Sequence, residues 1–70
     1  MVKARRYIKN AVLDAIQPGG SLASELRPIL SQKLGEEMSI QRVCTYLALL
    51  YEEDLLDRWI EDRVYRYVRR

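Results

Sequence analysis

Apolar residues Ile8, Val12, Ala15 and Ile16 recur at helical spacing between about Lys3 and Gln17, with Tyr7 and Leu13 beside them, which predicts an amphipathic first helix. Pro18-Gly19-Gly20 ends it, because proline disfavours helix in the residue before it and glycine relaxes the turn. Leu22, Leu26, Ile29, Leu30 and Leu34 form the next stripe, closed by Gly35 where a left-handed cap residue is wanted. A start at Ser21 would place Pro28 well inside this helix, losing a hydrogen bond and crowding the preceding turn. With Ser24 as N-cap, Pro28 falls in the first turn, where it costs far less. We therefore expect the later start, with Ser21 to Ala23 extended and able to pair with strands at the C-terminus.

Gly35-Glu36-Glu37 makes a corner, and Ser39 is a good N-cap for a third helix, with Met38 placed to staple onto Val43. The apolar stripe is Ile40, Val43, Leu47 and Leu50, with Cys44 and Tyr51 at its edges. Gln41, Arg42, Thr45, Ala48 and Leu49 lie opposite, and Tyr46 sits near the boundary. Glu52 and Glu53 oppose the helix dipole at the C-terminal end, and Asp54 occupies a corner where a left-handed conformation is tolerable.

LLDRWI and RVYRYV, rich in β-branched and aromatic residues, flank Glu61-Asp62 and predict a hairpin. Its register is not fixed by the sequence. A three-residue loop at 61–63 groups Trp59, Tyr65 and Tyr67 on one face and Leu56, Ile60, Val64 and Val68 on the other; a two-residue loop mixes those sets. Asp62 lacks the following glycine of the favoured two-residue turn, so the longer loop is the expectation.

Seventy residues suit one domain near the lower limit for a self-sufficient core, which makes a dimer partner useful. The longest apolar run, Tyr46 to Tyr51, is too short to span a bilayer, and MVKARRYIKN lacks the apolar segment of a secretion signal. A cytoplasmic location without membrane association is the resulting expectation. With no histidine and one cysteine, the commonest general base, zinc ligand set and disulfide are all missing. No phosphate loop or nucleophile elbow appears either, so we expect neither an enzyme nor a cofactor or metal site.

Charge is unevenly spread. The first ten residues carry Lys3, Arg5, Arg6 and Lys9 without an acid; residues 58–70 balance to +3; residues 11–57 balance to −5. Convergence of the basic ends on one face would orient the protein on a polyanion.

This order of helix, short extended segment, helix, helix and hairpin is that of a winged helix-turn-helix domain. SIQRVCTYLALLYEEDLLDRWIEDRVYRYV resembles the third helix and wing of small bacterial and archaeal regulators of the penicillinase-repressor, arsenical-resistance-repressor and fimbrial-regulator types. Ser39, Val43, Leu47, Leu50, Leu55 and Leu56 carry the match, with Arg63, Tyr65 and Tyr67 in the wing. Departures are Asp54 where glycine is usual, no metal-ligand set and no appended dimerisation helix.

The resemblance implies a single α+β, mostly α domain over 1–70, with three helices and a C-terminal two-stranded β-hairpin wing. It implies a transcriptional regulator that inserts the third helix, about 39–53, into the major groove of double-stranded DNA, binding as a homodimer on paired half-sites. Gln41 suits adenine and Arg42 guanine, while Thr45 and Tyr46 suit phosphate or thymine methyl. Arg58, Arg63 and Arg66 would reach phosphates or the minor groove, and Arg5, Arg6 and Lys9 phosphate beside helix one.

Bland alternatives stand beside these. The arginines can pair with Asp57, Glu61 and Asp62 at the surface. Trp59, Tyr65 and Tyr67 are expected to close the core rather than stack on bases, and Cys44 to be a small buried hydrophobe. Leu49, Tyr7 and Leu13 are candidates for a dimer interface. The rival functions are a protein–protein adaptor on the same fold, or a viral or plasmid accessory protein in replication, packaging or recombination.

Overall fold

A computed structural model describes residues 4–70. The elements run α1 (Arg5–Ala15), β1 (Ser21–Leu22), α2 (Ala23–Leu34), α3 (Ile40–Glu52), β2 (Leu56–Glu61) and β3 (Val64–Arg69), a mostly helical α+β arrangement. The expected beginning of helix one at Lys3 lies outside the described residues. Ile8, Val12, Ala15 and Ile16 are buried as their spacing predicts, joined by Ala11, although the chain leaves α1 at Ile16, which is extended.

The short strand β1 pairs antiparallel with β3, Ser21 opposite Tyr67 and Leu22 opposite Arg66, so the expected pairing of this segment with the C-terminal strands is found. The later start of α2 is not. The helix begins at Ala23 with Leu22 as N-cap, and Ser24 lies inside it. Two causes are visible. Pairing with β3 fixes Ser21 and Leu22 as strand, and the Glu25 carboxylate accepts the Leu22 backbone N–H at 2.9 Å, half of a capping box. Pro28 therefore sits beyond the first turn, on the exposed side of α2. Ile29, expected in the stripe, is 42% exposed, whereas Leu26, Leu30 and Leu34 are buried.

Gly35 ends α2 in the left-handed region, φ 71°. The corner to α3 is tied by one hydroxyl: Ser31 Oγ donates to the Arg27 carbonyl and accepts from Met38 N–H, both at 2.9 Å. Ser39 caps α3 by accepting Arg42 N–H at 3.1 Å, and Met38 and Val43, on either side of the cap, are both fully buried. Leu47 and Leu50 complete the inward stripe of α3; burying each such side chain stabilises by about 1.5–3 kcal/mol. Ile40 is 46% exposed and Cys44 is also exposed, so neither joins the core as expected. The inward stripe is narrower than the sequence pattern implies.

The end of α3 explains Asp54. Leu55 N–H bonds to Leu50 C=O and Asp54 N–H to Tyr51 C=O, the two bonds of a Schellman cap, with Asp54 at φ 63° in the position usually taken by glycine. Beyond it, β2 and β3 form a hairpin with Glu61 opposite Val64. The loop is thus two residues, Asp62 and Arg63, both left-handed at φ 53° and 68°, and not the expected three. One face of the hairpin carries Leu56, Arg58, Ile60, Tyr65, Tyr67 and Arg69; the other carries Asp57, Trp59, Glu61, Val64, Arg66 and Val68. Leu56 and Tyr67 alone on the first face reach the core. Trp59 and Tyr65 are 42% and 41% exposed, so of the three aromatics expected to close the core only Tyr67 does.

The sheet order β1-β3-β2 puts β3 in the middle. The core is one cluster drawn from all three helices together with Ile16, Met38, Leu56 and Tyr67.

Candidate functional site

The outward face of α3 is set by helical spacing. With Val43, Leu47 and Leu50 turned inward, Gln41, Thr45 and Glu52 fall on one exposed stripe. Thr45 Oγ1 donates to the Gln41 carbonyl at 2.9 Å, so its proton is committed to the helix and it presents its methyl and lone pairs to solvent. Arg42 is exposed and lies 3.5 Å from Glu36 of the preceding corner, a loose surface pair. Tyr46 is half-buried and packs against the core.

Ile40, Cys44 and Tyr51 share one flank of α3 by helical spacing, and Tyr51, at its C-terminal end, meets the hairpin. There the Arg58 guanidinium lies between two rings, 3.9 Å from the Tyr51 centroid and 4.1 Å from that of Tyr65. A side-chain hydrogen bond with Tyr67 and the electrostatic influence of the tyrosines raise the Arg58 pKa further above its usual value. The cation is oriented by aromatic groups rather than by an acid.

The remaining cations divide by partner. Lys9 pairs with Glu53, Lys33 with Asp14, Arg66 with Glu25 and Glu61, and Arg70 with Asp54 and Asp57. Among the described residues, no carboxylate pairs with Arg5, Arg6, Arg27, Arg58, Arg63 or Arg69. Three of these six belong to the hairpin: Arg58 and Arg69 on one face and Arg63 in its turn. Arg69 was not singled out by the sequence, where it is one of a terminal pair; only the register places it on the Arg58 face.

Arg66 is used differently. Its Nε and Nη2 donate to Glu61 Oε1 at 3.1 and 2.9 Å, and Nη1 donates to the Gly20 carbonyl at 3.0 Å. The Arg66 hydrogen bonds hold the Glu61 carboxyl below its ordinary range. This guanidinium ties the central strand to the α1–β1 turn and has little freedom for a ligand.

Arg5, Arg6 and Lys9 are not brought to the exposed stripe at the start of α3. Lys9 meets Glu53, which lies roughly 18 Å along the helix axis from Gln41 at about 1.5 Å per residue. The expectation that both basic ends converge therefore applies to the acidic corner after α3, where Lys9 and Arg70 are each neutralised.

Among the described residues no group of three or more histidine, cysteine, aspartate or glutamate side chains could hold a metal, and no helix is long and apolar enough to cross a membrane. Comparison with protein-family models gives no match, and neither the curated proteins nor the solved structures yield one.

Proposed function

We propose that this protein is a winged-helix DNA-binding regulator in which α3 enters the major groove and the β2–β3 hairpin is the wing. One observation carries the reading. The exposed polar stripe of α3 is flanked by a hairpin bearing Arg58, Arg63 and Arg69, none neutralised by a carboxylate among the described residues. In this reading Gln41 and Arg42 contact base edges, Thr45 offers its methyl to thymine, and Arg58 and Arg63 sit on phosphates. Its action is binding, not catalysis, and useful specificity requires a homodimer on two half-sites.

The test is duplex binding across a salt series with wild type and Arg42→Ala. Affinity should fall linearly on a log–log plot as salt rises, and Arg42→Ala should relax preference at one base position. Affinity insensitive to both would sink the reading.

A second reading is favoured by the apolar side chains around Arg58. Tyr51, Ile60 and Tyr65 are all exposed there, and aromatic groups beside an arginine are common at protein–protein hot spots. Charge reversal at Arg42 and Arg63 separates the two: DNA binding collapses, while an adaptor using the apolar surface keeps its partner.

A further inference from the structure

A second candidate site lies where the first half of α1 meets the end of α3. A cavity of about 240 Å³ opens between the first half of α1 and the end of α3, lined by Arg5, Arg6, Lys9, Asn10, Leu13, Leu50, Glu53 and Leu55. Its apolar wall has a structural origin. The Schellman cap brings Leu55 back beside Leu50, and Leu13 of α1 packs against the same core. Leu50 is fully buried, while Leu55 remains 44% exposed.

The polar rim is unbalanced. Lys9 and Glu53 neutralise each other across the cavity, which leaves Arg5 and Arg6 as two guanidiniums without a carboxylate partner among the described residues. Asn10 adds an amide. An apolar wall under two uncompensated planar cations calls for a ligand with one anionic end and one hydrocarbon end. The volume lies below the ~300–1,000 Å³ of sites for drug-sized molecules, which fits a single aliphatic chain rather than a bulkier ligand. Glu53 in the wall weighs against a dianion.

We propose that this cavity binds a medium-chain aliphatic monocarboxylate, its carboxylate on Arg5 and Arg6 and its chain against Leu13 and Leu55, with Leu50 buried behind them. Such a ligand would bridge α1 to the corner from which the hairpin departs, since Arg70 N–H bonds to the Leu55 carbonyl and Arg70 also pairs with Asp54 and Asp57. The site is independent of the DNA reading.

The test is titration of the full chain with octanoate, followed by methyl NMR. Saturable shifts at Leu13, Leu50 and Leu55 are expected, with affinity reduced at least tenfold in Arg5→Gln/Arg6→Gln and unchanged in Arg27→Gln. Octanol, octylamine and inorganic phosphate serve as probes of each half of the recognition. Equal binding of octanol, or binding of phosphate as tight as octanoate, would overturn the proposal, as would no saturable shift at all. Arg42→Ala should weaken duplex binding without affecting octanoate, so failure of one claim is readable apart from the other.

Discussion

The Arg58 guanidinium lies 3.9 Å from the centroid of the Tyr51 ring, joining the hairpin to the last full turn of α3 by a cation–aromatic contact. Tyr65 covers the other side at 4.1 Å, so the cation is held without an acid to cancel its charge. An arginine in this setting is preorganised for an anion yet still attractive to it. A lysine cannot replace the planar group between two rings. Arg58→Lys is therefore expected to keep the charge but weaken duplex affinity several-fold. Arg58→Ala should also lower the slope of log affinity against log salt by about 0.9, the signature of one lost phosphate contact. A purely structural role would lower the melting temperature and leave the salt slope unchanged.

Arg66 and Gly20 form a second coupled pair. Gly20 has φ 93°, and a Cβ there would lie 2.9 Å from Arg66 Cγ and 3.0 Å from Trp59 Cη2. Gly20→Ala is expected to destabilise through both the backbone and the contact, and Arg66→Met through loss of the bonds to Gly20 and Glu61. The pH dependence follows from Glu61. Its folded-state pKa is depressed below the ordinary 4.5, chiefly by hydrogen bonding from Arg66. The stabilisation is thus present above about pH 4.5 and is lost as pH falls through the lower folded value. In thermal melts, wild type should exceed Glu61→Gln at neutral pH, and the gap should close below that point. The pair is exposed, so high salt should narrow the gap as well.

On α3, burial decides which leucine-like positions matter. Leu47 is fully buried and Ile40 is 46% exposed, although both lie on the predicted apolar stripe. Leu47→Ala should cost about 2–5 kcal/mol. A 70-residue domain holds roughly 4–10 kcal/mol in all, so much of its stability would go. Ile40→Ala should stay within about 0.5 kcal/mol, as for other surface changes. Paired chemical denaturation of the two variants checks the orientation of α3.

The helices were legible in the sequence because each is marked by a stripe and a terminator. Ser39, Gly35 and Pro18-Gly19-Gly20 delimit them, and the structure places each at an element boundary or turn. The start of α2 was not legible, because pairing of Leu22 with Arg66 is a contact between distant parts of the chain. The hairpin loop failed for another reason. Turn chemistry without glycine points to a longer loop, yet Asp62 and Arg63 both adopt the left-handed conformation. That one-residue difference regroups the hairpin side chains, placing Arg58 with Tyr65 and separating Trp59 from Tyr67. Of the candidate site, the α3 residues could be read from spacing. The division of arginines into paired and unpaired could not, because it depends on which acids the fold brings near.

Cys44 offers a probe that needs no substitution. It is the chain's single cysteine, exposed on the same flank of α3 as Tyr51, which meets the hairpin. Alkylation with a bulky maleimide should leave the circular dichroism spectrum unchanged and abolish duplex binding by filling the space between helix and hairpin. A small reagent such as iodoacetamide should have a weaker effect. If the bulky adduct binds duplex as well as the free thiol does, this flank of α3 does not approach the nucleic acid.

Arg63 separates stability from function within one residue. At φ 68° it occupies a conformation that costs an L side chain roughly 1–2 kcal/mol. Glycine removes that penalty and creates Asp62-Gly, a favoured pair for a two-residue hairpin turn, though its greater unfolded-state freedom returns about 0.5–1 kcal/mol. Arg63→Gly is therefore expected to stabilise by up to about 1.5 kcal/mol, raising the melting temperature by no more than about 6–12 °C. The same change deletes an unneutralised cation at the tip of the hairpin. Duplex affinity should fall several-fold, with the salt slope lowered by about 0.9. A more stable protein that binds DNA less well would identify the left-handed arginine as a residue kept for its charge. If stability rises and duplex affinity does not change, Arg63 makes no phosphate contact and the tip of the hairpin is free of the nucleic acid.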